Sequence, residues 1–206
     1  LQDKQDNLGY EQKNKSYLLA ETRSSEQAYQ NLLQQAKKEQ QQAETDIANA
    51  EQLIRQKMSQ NDKNRLNNGN NTIAWPVPKN TISTKFHDPD YPYRKIIGEH
   101  SGIDIRAKQG TPIQAAADGY VAKVKFDGTT NYAYIMLIHG KGLSTVYGHV
   151  SAAYVVTDQY VKQGQIIGRT GATPGSIGAG PFTTGPHLHF EVRLNGLPVN
   201  PENYLP

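Results

Sequence analysis

The 206-residue chain is 36% apolar and 20% charged, with a formal net charge of +3 and no cysteine. The missing cysteines exclude disulfides, thiolate zinc sites and a cysteine nucleophile. The small charge, with no Lys/Arg block, argues against nucleic acid, and no apolar run reaches the ~18 residues of a membrane span. The chain opens at Leu1 rather than Met, inside a helical pattern, so a processed or trimmed piece is expected, with any signal peptide outside it.

From Tyr10 to Asn68 there is neither glycine nor proline, and Gln, Glu, Lys and Ala dominate. These residues lose little side-chain freedom in a helix, so a long helix is expected over residues 1–62. A seam at steps of four and three runs through Leu18, Thr22, Ser25, Tyr29, Leu32, Ala36, Glu39 and Ala43, then Asp46, Ala50 and Leu53. Ile47 and Ile54 lie one place off it. Many seam positions are polar, so the pattern fits either a solvated spacer or a coiled-coil-like arm that binds a helical protein partner. Residues 63–72, within the run NDKNRLNNGNNT, are expected to be an Asn-rich linker, because asparagine and glycine favour turns.

After Ile73 short β-patterned runs are cut by Gly, Pro and Asp. Strands are expected at Ile113–Ala116, Gly119–Lys125, Tyr132–His139, Leu143–His149, Gln165–Arg169 and His187–Leu194, with a hairpin turn at Gly140–Gly142. Closely spaced strands with little helix between them predict an antiparallel β-sandwich or half-open barrel over residues 73–206, preceded by the long helix. The first 62 residues hold 8 basic and 10 acidic side chains, leaving 14 and 9 of the totals of 22 and 19 for the rest. The β domain is thus modestly basic.

All six histidines lie between His87 and His189. In a strand, residues two apart share a face, so His187 and His189 project together while Leu188 points the other way. Such a pair is either a surface feature or a pair of metal ligands. His100 and Asp104 also share a face of an extended chain, and imidazole with carboxylate suits zinc. His149 ends the strand motif Tyr147-Gly148-His149. Three protein ligands and an open position make the pattern of catalytic zinc, and spare histidines serve acid–base chemistry. His139 is expected to make a structural hydrogen bond, and His87 to sit in a turn.

In order, HSGID, YGH and GPHLHFEV resemble the lysostaphin-type (LytM-like) zinc endopeptidases of peptidoglycan. WPVP, GTPIQAAADGYV, LIHGKGLSTVYGHV and VKQGQIIGRTG extend the likeness over roughly Trp75 to Tyr204. The resemblance implies one zinc per chain on His100, Asp104 and His189, with His149 and His187 as the catalytic histidines. It also implies that a tyrosine shortly before the first ligand, Tyr91 or Tyr93, lines the substrate groove. Glu191 shares the face of His187 and His189 and is expected either to orient an imidazole or to be an ordinary edge carboxylate.

One departure is the run ATPGSIGAGPFTT between Gly171 and Gly185, where relatives have only a few residues. It is expected to be a mobile loop bordering the groove. The resemblance implies a metalloendopeptidase of the bacterial cell envelope, periplasmic or extracellular, that cuts amide bonds in stem peptides or cross-links. The alternatives are a metal-free module that activates other wall hydrolases, and a scaffold whose helix does the work. Residues 73–206 are expected to fold and cleave without the helix.

Overall fold

The computed structural model describes residues 2–79 and 81–206, except for the side chains of residues 2–11, 13 and 14. Helix α1 runs Gln2–Lys57 and α2 Gln60–Asn68. The break between them is set by Ser59, whose side chain accepts from the Asp62 backbone N–H at 3.2 Å and so caps α2. By contact density the chain divides between Lys38 and Glu39 into two compact units. The first is helix alone; its Tyr17, Leu18, Tyr29 and Leu32 are exposed.

The second unit holds the rest of α1, α2 and the β domain. Its further elements begin with β1 (Ile82–Thr84), α3 (Arg94–Ile97), β2 (Ile103–Arg106) and β3 (Pro112–Gln114). There follow β4 (Gly119–Lys125), β5 (Tyr134–Ile138), β6 (Leu143–Gly148) and β7 (Val150–Ala153). The last are β8 (Tyr160–Val161), β9 (Ile166–Thr170), β10 (His187–Leu194) and β11 (Leu197–Val199). The larger sheet has the order β1-β2-β10-β6-β5-β4-β8, with β11 beside β10; the smaller is β3-β9-β7. Every pairing is antiparallel. The expected class, a mainly antiparallel β domain after a long helix, is the one observed.

The continuous apolar run of β5, YIMLI, explains how the helices join this unit. All five residues are buried, so both faces of the strand need cover. Ile135 and Leu137 enter the main core with Ile103, Ile113, Tyr147, Leu188 and Phe190. Tyr134, Met136 and Ile138 point the other way and pack with Ala43 and Ile47 of α1 and Leu66 of α2. The Arg55 guanidinium adds hydrogen bonds to the carbonyls of His139 (3.2 Å) and Leu143 (2.7 Å).

Two expectations change here. The Asn-rich stretch is not a free linker, because its first part is α2 and its asparagines bind backbone groups. Asn71 accepts from the Gly140 N–H (2.7 Å) and donates to the Leu66 carbonyl (2.9 Å). Gly140 is required for that fit, since a Cβ there would lie 2.6 Å from the Leu66 carbonyl oxygen. The second concerns the boundary: the sequence pattern divides helix from domain at 62 and 73, whereas Glu39–Pro206 packs as one unit. The off-register Ile47 and Ile54 face the sheet, while seam residue Leu53 is exposed.

Candidate metal centre

Antiparallel pairing of β2 with β10 sets Asp104 opposite His189 and Arg106 opposite His187. Along β10 the alternation is strict. Leu188, Phe190 and Val192 enter the core, leaving His187, His189, Glu191 and Arg193 on the other face. Gly102 lets the loop before β2 cross β10 closely, since a Cβ there would sit 2.4 Å from the Phe190 carbonyl oxygen. That crossing delivers His100. His149 follows β6 with φ +57, a left-handed conformation uncommon for residues with a β-carbon.

Three atoms converge. His100 Nε2 lies 3.2 Å from Asp104 Oδ1 and 3.0 Å from His189 Nδ1, and His189 Nδ1 is 3.0 Å from the same carboxylate oxygen. These three buried residues form a group able to hold a metal ion. His187 Nε2 stands 3.6 Å from Asp104 Oδ1, and the His149 and His187 ring centroids are 4.6 Å apart.

The opposite side of each ring is anchored. His100 Nδ1 donates to the Lys85 carbonyl (2.9 Å), His149 Nδ1 to Ala179 (2.7 Å) and His187 Nδ1 to Gly185 (2.7 Å). Carbonyls only accept, so each bond places a proton on Nδ1 and turns Nε2 inward. His189 is turned round: its Nε2 donates to Glu191 Oε1 (3.3 Å), so Nδ1 faces in. Glu191 is held in turn by Ser101 Oγ (2.6 Å) and Arg193 (2.7 Å).

This arrangement favours positive charge. Burial disfavours charge on His189, yet hydrogen bonds to Asp104 and Glu191 outweigh it and push its pKa up to about 10. Burial also opposes ionisation of Asp104, but bonds from His100 and His189 hold it well below the usual carboxylate range. A metal ion held there would take the place of the extra proton among the three donors. The donor set, two imidazoles and one carboxylate, fits zinc. Burial, reinforced by His187 and His189, lowers His149 to about 3 and keeps it neutral.

The structure distinguishes the two tyrosines. The ring of Tyr91 lies 4.7 Å from that of His100, while Tyr93 packs on Phe182 of the inserted loop at 4.9 Å. Burial raises both phenols, so both stay protonated at neutral pH. The insert is anchored to the domain beside the site. Ala172 and Ala179 are fully buried, and Gly178 and Gly180 donate backbone N–H groups to Thr129 and Thr130 at 2.8 and 2.9 Å. His139 makes structural hydrogen bonds to the Asp118 carbonyl and Thr145, and His87 lies exposed in a turn beside Glu99.

Some contributors escaped the sequence reading. The Lys85, Ala179 and Gly185 carbonyls leave no trace in side-chain patterns. Arg193 was within reach, being the next residue on the alternating face after Glu191. Glu44 was not. It sits on α1 and meets Arg193 at 3.5 Å, and burial together with nearby Glu191 raises its pKa to about 7.

Two histidines and a carboxylate around one point on an antiparallel β domain, with two further inward-facing imidazoles, fit a metal centre of the kind found in metallopeptidases. Residues 98–201 match Peptidase family M23. The chain belongs to that family. It is 41% identical over 135 residues to an uncharacterised metalloprotease of Haemophilus influenzae, covering 65% of this chain and 27% of the relative. It is 39% identical over 126 residues to the DD-carboxypeptidase/endopeptidase Mpg of Neisseria meningitidis, covering 61% and 27%. The chain thus spans about a quarter of these relatives' length. A zinc-containing peptidase from Vibrio cholerae superposes with a TM-score of 0.53 at 30% identity, covering 64% of this chain and 39% of that one.

Proposed function

We propose that this chain is a zinc-dependent endopeptidase that cleaves amide bonds in the stem peptides or cross-links of bacterial peptidoglycan. In this reading His100, Asp104 and His189 hold one zinc ion, and His149 and His187 are the catalytic histidines. The carrying observation is the convergence of three donor atoms, with the neighbouring histidines turned by backbone carbonyls so that their Nε2 atoms face the same point. When bound, zinc supplies Lewis acidity to the scissile carbonyl and acidifies water. His149, with Nδ1–H already committed, can take up a proton only at Nε2, the atom that faces the site. His187 has the same commitment and can hold a proton at Nε2 for the leaving amine. Glu191 fixes the His189 ring. The Tyr91 hydroxyl, kept protonated, can donate to developing negative charge, and Tyr93 lines the groove.

The chemistry is assigned to residues 73–206, with residues 39–72 as structural support and the earlier helix available to a helical partner. A peptidoglycan substrate places the activity in the cell envelope, periplasmic or extracellular. No helix among the described residues is long and apolar enough to cross a membrane.

Elemental analysis and muropeptide digestion test this reading. Near one zinc per chain is expected, lost in His189→Ala. His149→Ala and His187→Ala should keep the metal and lose cleavage by about 10²-fold or more. A zinc-free protein that cuts nothing but stimulates other wall hydrolases would replace the endopeptidase with the activating module.

A further inference from the structure

The face that carries Asp104 and His189 continues one step along the paired strands to Arg106 and His187. Facing residues on antiparallel strands have Cβ atoms about 5 Å apart, so Arg106 is an immediate neighbour of His187. Arg106 is exposed, and its guanidinium has no ion pair or hydrogen bond among the described residues. The acid on the same face, Asp104, is taken up by His100 and His189. Lys108 follows, and its ammonium likewise has no partner among the described residues. Both cations line an open pocket of about 540 Å³, walled by Ser83, Gln109, Pro186 and His187.

The charges around this pocket do not balance. Glu191 is matched by Arg193 and Asp104 belongs to the metal cluster, while Arg106 and Lys108 stand uncompensated beside a site suited to a dication. A carboxylate is the group that relieves this, and the planar guanidinium fork accepts one in two parallel hydrogen bonds. We propose that Arg106, supported by Lys108, is a subsite for a free carboxylate of the substrate close to the cut amide. The groove then selects peptides bearing an acid there, as on a diamino-acid residue, over uncharged glycine bridges. This rests on the endopeptidase reading and names its substrate class.

Three forms of one cross-linked muropeptide test the proposal: both acids free, the diamino-acid carboxyl amidated, and the terminal carboxyl amidated. The wild type should lose roughly 10- to 100-fold in kcat/KM on one amidated form, the range of a charge-assisted hydrogen bond, and that form identifies the acid. Arg106→Gln should lose a similar factor on the free acid and discriminate little between forms, while Arg106→Lys recovers part of the preference. Zinc content should match wild type in both variants. Equal cleavage of all three forms by the wild type overturns the subsite, as does an Arg106→Gln loss that ignores amidation. Cleavage of none by the zinc-loaded wild type overturns the endopeptidase reading itself.

Discussion

Between residues 15 and 38, α1 leaves Tyr17, Leu18, Tyr29 and Leu32 exposed, whereas between Glu39 and Lys57 the same helix buries Ala43, Ile47 and Glu51. Both stretches are helical for the same reason, a composition of good helix formers. They differ in what meets them. The second presents Ala43, Ile47, Ala50 and Ile54 at helical spacing, a stripe that packs with the outer residues of β5. Its buried carboxylate, Glu51, is satisfied by Ser144 (2.9 Å) and Arg55 (3.0 Å). The larger side chains lie on the exposed stretch. Side-chain size therefore did not choose the docking face; spacing and a waiting apolar sheet did.

The sharpest way to break this contrast is truncation. Residues 39–206 should fold with a melting temperature within a few degrees of the full chain. Residues 73–206 should lack a cooperative thermal transition by circular dichroism, having lost Ala43, Ile47 and Leu66 from one core. Normal folding of 73–206 would restore the boundary expected from sequence. A finer comparison uses one residue from each stretch. Ile47→Ala should cost about 2–5 kcal/mol in urea denaturation, the range for emptying a buried site, and Leu32→Ala within about 0.5 kcal/mol.

A pH-dependent effect lies where Arg55 meets the β5–β6 turn. Burial lowers the His139 pKa from its ordinary 6.5 to about 4, with the Arg55 charge contributing. Between those values the unfolded chain binds the extra proton, so stability present above pH 6.5 declines as pH falls toward 4. About 1 kcal/mol from this group should be lost between pH 6.5 and 5.5. His139→Asn should flatten the pH dependence of unfolding by that amount; an unchanged slope would show that His139 does not titrate this way.

Strands β4 and β10 match their expected limits, because alternation or a clean apolar run between turn residues marks each. β1, β8 and β11 are two or three residues long, too short for any period to register. In the site, Asp104, His187 and His189 lie on strands whose period carries their shared face, whereas His100 arrives on the loop before β2. The orientation of the histidine rings was not legible in the sequence, since Lys85, Ala179 and Gly185 act through carbonyls that any residue possesses. The asparagines of residues 67–71 misled for a related reason. A side chain that favours turns in water also bonds well to a neighbouring hairpin, and only the tertiary fold decides between them.

The bond from His149 to the Ala179 carbonyl has a consequence for how this chain can change over generations. No substitution at position 179 removes a carbonyl, so the orienting contact is invisible to selection on that side chain's chemistry. What selection can see is the path of the loop. A Cβ at Gly178, where φ is +73, would lie 1.9 Å from the Val150 carbonyl oxygen, and one at Gly180 would lie 2.8 Å from Tyr132. The loop can therefore change in its exposed letters only along the path those two glycines allow, and the orientation of His149 rests on two residues that have no side chain.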